Sequence, residues 1–254
     1  MIVWCYYLLA LTNIFLNVLM SVFIYSKILN YNSFTLFHIE RQDTIMNENI
    51  TKRNELLAQK TINGLKSRNM EGYYAASKEE ALKIALGLIP EGSSVTMGGG
   101  MSVHEIGLSE ALKNGNYNFI DRDAYEDKRK AMLLAYDADF FLSSANAMTD
   151  DGILVNVDGN SNRVSAICQG PKQVIFIVGM NKVCSDLDAA MKRARNVAAP
   201  INAQRFGLDT PCSKTGKCFD CKSPDTICCQ ILITRFSRHE GRISVILVND
   251  ELGF

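Results

Sequence analysis

Lys172–Gly179, KQVIFIVG, decides the fold. From Val174 to Val178 every side chain is apolar, and four of the five are β-branched. A strand with one wet face alternates apolar and polar residues. An unbroken β-branched run too short for a helix instead marks a strand buried on both faces, inside a parallel sheet covered by helices.

The flanking sequence supplies those helices. Downstream, SDLDAAMKRARNVAAP (185–200) predicts a helix with Ser185 as N-cap and Pro200 just beyond its end. Upstream, SKEEALKIALGLIPEG (77–92) opens on the capping-box pair Ser77 and Glu80 and stops at Pro90 and Gly92. SSVTMGGG (93–100) is a short strand running into three glycines, and MSVHEIGLSEALKNG (101–115) is an amphipathic helix. DAYEDKRKAMLLAYDAD (123–139) is another helix. FFLSSANAMTDDGILVNVDGNSNRV (140–164) reads as strand, loop and strand, and ICCQILITRF and RISVILVNDELGF supply the last strands. Such alternation predicts one α/β domain built on an open, mostly parallel sheet.

The domain begins near Met46. No residue from Met1 to Ser26 is charged, and the compositional break comes at residue 46. Two readings of residues 1–45 stand side by side: a transmembrane anchor, with residues 2–25 as the span, or a mis-assigned start upstream of Met46. The 46–254 domain is expected in the cytoplasm, tethered to the membrane only if the anchor is real. With 27 basic and 27 acidic side chains among 254 residues, the chain offers no basic face for nucleic acid.

Candidate chemistry falls in three places. Gly98, Gly99 and Gly100 let an anion approach the backbone, though neither dinucleotide nor P-loop spacing is met. His104 and Glu105 follow at once. The polar stretch 146–163 offers Asp150 or Asp151 as general base and Arg163 as anion ligand, against a plain turn-forming reading of the same residues. The third place is CSKTGKCFDCKSPDTICC (212–229), which holds five of the chain's eight cysteines. Cys212, Cys218, Cys221 and Cys228 form a candidate thiolate set for zinc or an iron–sulfur cluster, with disulfide and redox readings as competitors.

TDDGILVNVDGNSNRV, GPKQVIFIVGMNKV and TPCSKTGKCFDCKSP together resemble the LUD-domain family, named for lactate utilization, from about Asn47 to Phe254. The resemblance implies an open Rossmann-like sheet of the CoA-transferase and sugar-phosphate isomerase group. It places a small anionic ligand at Gly98 to Gly100 with Ser102, and at Asn146, Thr149, Asp150, Gly152, Asn162 and Arg163. Catalytic candidates are Glu105, Asp150 and Arg163. It further implies iron–sulfur or oxidoreductase partner proteins in the oxidation of L-lactate, with the chain as an accessory or electron-transfer subunit. The alternative is a stand-alone small-molecule enzyme or binding module with a structural metal.

Overall fold

The computed structural model describes residues 48–254, the side chains of Asp123 and Lys128 excepted. The two readings of residues 1–45 lie outside the described residues. Among the described residues no helix is long and apolar enough to cross a membrane. Contacts divide the chain into Met1–Lys52 and Arg53–Phe254, and the second unit carries all the described sheet structure.

After a helix over 48–67 (α1), the elements are β1 (Glu71–Ala75), α2 (Lys78–Leu88), β2 (Ser94–Met97), α3 (Met101–Glu105), α4 (Leu108–Asn114) and β3 (Asn118–Ile120). Next come α5 (Lys128–Tyr136), β4 (Phe140–Ser143), β5 (Ala147–Thr149), β6 (Leu154–Asp158), α6 (Asn162–Cys168) and β7 (Gln173–Gly179). The remainder is β8 (Val183–Cys184), α7 (Leu187–Arg193), α8 (Ala199–Arg205), α9 (Pro211–Thr215), β9 (Gln230–Thr234) and β10 (Ile243–Val248).

Six strands form a wholly parallel sheet in the order β1-β10-β7-β4-β2-β3. Strand β7 sits inside it, as its unbroken apolar run requires. Val174, Phe176 and Val178 face a core shared with Leu65 of α1 and Ala166 and Ile167 of α6. Ile175 and Ile177 face the opposite core, with Ala81 and Ala85 of α2 and Leu108 and Leu112 of α4. Successive side chains on a strand point to opposite faces, so two covered faces demand apolar residues at every position. At the amino ends, Ser94 N and Oγ lie 2.9 and 2.7 Å from one Asp139 oxygen, while Lys172 Nζ stands 2.7 Å from the other. These contacts hold the Asp139 carboxyl well below its ordinary pKa, the lysine first and the serine next.

A second sheet, β8-β5-β6-β9, was not expected from the sequence. The stretch 140–164, read as strand, loop and strand, is β4, a β5–β6 antiparallel hairpin and the start of α6. Its turn makes several of its polar residues structural. Asp150 pairs with Lys60 at 2.6 Å, Asp151 with Arg68, and Thr149 Oγ1 accepts from Ile153 N at 2.9 Å. Gly152 has φ +93°, and a Cβ there would stand 2.6 Å from Leu65 N. It is the closeness of α1 to this turn that requires glycine. The edge strand β1 was also missed, because EGYYA is short and only Ala75 is buried.

Two helix boundaries differ from expectation. Asp186, not Ser185, caps α7, accepting from Ala189 N at 2.8 Å while Ser185 Oγ donates to its carboxylate. A carboxylate at a helix N-terminus also meets the positive end of the dipole. Pro200 does not lie beyond the helix. A π turn, Ala194–Ala198, lets Ala199 N donate five residues back to Ala194 O, and the helix continues through Pro200 to Arg205. The predicted helix over 101–115 is likewise split, at Gly107, into α3 and α4.

Phe176 is fully buried between β7 and the helices of its face. Phe176→Ala should cost about 3–5 kcal/mol of stability, read by urea unfolding, because rigid neighbours close only part of the cavity.

Candidate functional site

Open parallel sheets bind ligands beyond the carboxyl ends of their strands. Here the chain leaving β2 contributes Gly98, Gly99 and Gly100, and the chain leaving β4 contributes Ser144, Ala145 and Asn146. Lys182 follows β7, and Gly253 and Phe254 follow β10. The opposite wall comes from the second sheet and its helices, through Asp158, Asn162 and Arg163, and from Asn202 and Arg205 of α8. Between them lies a cavity of about 350 Å³, room for a small metabolite.

Three cationic groups line it besides the lysine's amine: Arg122, Arg163 and Arg205. Arg163 donates through Nη2 to Val157 O and to Asn146 Oδ1, the latter at 3.4 Å, and its Nε is 4.0 Å from Asp158. Gly98 makes room for its stem, since a Cβ there would stand 3.1 Å from Arg163 Cδ. Asp158 acts mainly on the backbone, where its carboxylate accepts from the N–H groups of Arg163 and Val164 at 2.9 and 3.0 Å and so opens α6. Arg193 supports the floor from outside, donating to Asn181 O at 2.9 Å and Asn146 O at 2.5 Å.

The least expected group is Lys182. Its residue is 2% exposed, and Nζ donates to Ser102 Oγ at 2.9 Å and Ser144 Oγ at 3.0 Å. The two hydroxyls are themselves 3.3 Å apart. Burial depresses the lysine pKa to about 7; Arg193 and Arg163 push the same way, and Glu105 opposes them. The amine therefore changes charge near neutral pH.

Of the residues marked from sequence, Gly98, Gly99, Gly100, Asn146, Asn162 and Arg163 meet at the cavity. Ser102 stands behind it, bonded to Lys182. Thr149, Asp150 and Gly152 lie outside the lining, in the hairpin turn against α1. Glu105 also lies outside, accepting from Gly253 N at 2.7 Å. His104 bonds Ser109 Oγ at 2.9 Å, a packing role. Sequence reasoning missed Lys182, Ser144, Arg122, Asn202 and Arg205. One signal was available for the first of these, a lysine three residues past the end of the unbroken apolar strand β7.

All seven described cysteines are free, the five of the thiol-rich segment among them. Cys228 keeps accessible surface, yet desolvation and then Cys218, Cys212, Cys221 and Cys229 push its thiol up to about 11. Five sulfurs thus share one neighbourhood. Arg195 Nη2 approaches Cys218 Sγ at 3.7 Å. Among the described residues, no three His, Cys, Asp or Glu side chains are gathered closely enough to hold a metal ion.

The LUD-domain family model matches residues 58–248, which include both sheets and the cavity floor. The chain belongs to the LUD-domain family. A solved structure of a DUF162 family protein from Deinococcus radiodurans is similar over 78% of this chain and 98% of its own length, at 10% identity and a TM-score of 0.46. No curated protein matches the chain. The LUD domain here is an α/β fold whose strand ends converge on a cationic cavity.

The titration of Lys182 should be visible in stability. The unfolded lysine takes its proton near 10.5 and the folded one near 7, so between these values the unfolded chain binds more protons and stability rises with pH. Lys182→Met removes that slope. The variant should gain most over the wild type at pH 7 and below, and the gain should vanish toward pH 10, as read by urea unfolding across that range.

Proposed function

We propose that this LUD domain takes a small organic anion into its cavity and serves, as an accessory or electron-transfer subunit, an oxidoreductase system that oxidises L-lactate or a related acid. The observation that carries the reading is the shared wall between cavity and thiols. Ile227 lines the cavity and the next residue, Cys228, lies amid the other sulfurs. Cys229 N donates at 3.0 Å to the carbonyl of Asp158, which also lines the cavity.

The donor set fits a soft metal. Cys212, Cys218, Cys221 and Cys228 would hold zinc or an iron–sulfur cluster, and a bound cation relieves the mutual repulsion of thiolates. Cys212 stands in α9, and Cys218, Cys221 and Cys228 in the irregular chain between α9 and β9. A cluster, when bound, supplies one-electron transfer beside the organic anion; zinc supplies rigidity alone. Cys229 bonds Thr226 O and is left over as a ligand.

The anion would sit against Arg163 and the glycine turn, with Asn146 and Asn162 completing its hydrogen bonds. A neutral Lys182 would gain its proton as the negative charge arrives. The second reading, a stand-alone enzyme, is favoured by one observation, the pairing of Lys182 with two serines.

Anaerobically purified protein should carry metal and, with an iron–sulfur cluster, visible absorbance. Cys218→Ser and Cys221→Ser should lose the metal and Cys229→Ser should keep it; colourless, metal-free wild type overturns the electron-transfer role. L-lactate, pyruvate or inorganic phosphate should raise the melting temperature, and Arg163→Met should weaken the binding about tenfold or more. A flat thermal response to all three overturns anion binding.

A further inference from the structure

Buried lysines are normally matched by a carboxylate, because an unpaired ammonium out of water is costly. Lys182 is different. Among the described residues no carboxylate pairs with its Nζ; its partners are the hydroxyls of Ser102 and Ser144. A serine hydroxyl against a desolvated amine is the arrangement of Ser–Lys nucleophilic catalysis, in which a neutral lysine takes the serine's proton.

The two serines are not equivalent. Ser144 lines the cavity, whereas Ser102 is 0% exposed and sits behind the amine. The segment bearing Ser144 is held firmly. Asn156 Nδ2 donates to Ser144 O at 2.8 Å, and Arg193 fixes the carbonyl of Asn146 two residues on. Arg163 and Arg122 line the same cavity and suit an anionic group on whatever reaches Ser144.

We propose that Ser144 and Lys182 are the nucleophile and base of an acyl-transfer site, acting on an ester or thioester of a small carboxylic acid that also carries an anionic group. Ser144 Oγ bonds to the acyl carbon and its proton passes to the neutral Nζ. The tetrahedral intermediate expels the alkoxide or thiolate, which leaves with the proton from Nζ. Water, activated by the same amine, then releases the acid and restores Ser144. No redox partner or metal enters, so the step needs neither the thiol segment nor lactate oxidation. Ser102 is a positioning residue that accepts from Nζ, and on loss of the ammonium proton the bond to Ser144 reverses, its hydroxyl donating to the lone pair. Arg193 from α7 and Arg163 from α6 favour the neutral amine, and Glu105 from α3 opposes them.

The test is a fluorophosphonate probe on the full chain, read by intact mass and peptide mapping. One adduct per chain is expected, on Ser144, forming faster as pH rises through 7 and absent in Ser144→Ala. Lys182→Met and Lys182→Arg, checked by melting temperature, should slow labelling at least a hundredfold, since neither side chain accepts a proton. Ser102→Ala should shift the pH profile of labelling and leave the site of the adduct unchanged. Wild-type protein that stays unlabelled, or is labelled elsewhere, overturns the proposal whatever the variants do. So does a folded Lys182 variant that labels Ser144 at the wild-type rate.

Discussion

The burial of one amine organises this LUD domain. Lys182 lies where the carboxyl ends of the central strands meet, and an ammonium there costs more than its two serine partners return. The structure accepts that cost only while the surroundings are fixed. Strand β7, apolar on both faces, sets the height of the lysine; β4 delivers Ser144; the glycine turn after β2 leads to Ser102. The cavity is the space these three ends leave between the parallel sheet and the second one.

Charge follows from the same arrangement. Arg193 braces the loops by bonding the carbonyls of Asn146 and Asn181, and in doing so brings a second positive charge toward the amine. Arg163 adds a third. Burial first and these charges next favour the neutral amine, and the same charges suit the cavity to a negatively charged ligand. The thiol segment touches the same wall through Ile227 and Cys229, which places any metal held there beside the occupant.

The parallel sheet was legible because double burial writes itself into composition: KQVIFIVG needs apolar residues on both faces and has them. The glycine turn and Arg163 were legible because their chemistry is local. Lys182 was not, since its importance comes from Ser102 and Ser144, 80 and 38 residues away in sequence. The hairpin β5–β6 was hidden by its own turn, where Asp150, Asp151 and Gly152 imitate a binding loop while pairing with Lys60 of α1 and Arg68 just past it and packing on Leu65. Pro200 misled for a related reason, because the π turn that carries the helix past it has no signature in the residues themselves.

The central claim is that a buried, titrating amine faces an anion-binding cavity. It is tested most directly by a heteronuclear NMR titration of the Lys182 side chain, with and without pyruvate. The expected result is a pKa near 7 in the free protein, moving upward when the anion fills the cavity. A lysine that titrates near 10.5, or one that pyruvate leaves unmoved, would contradict it.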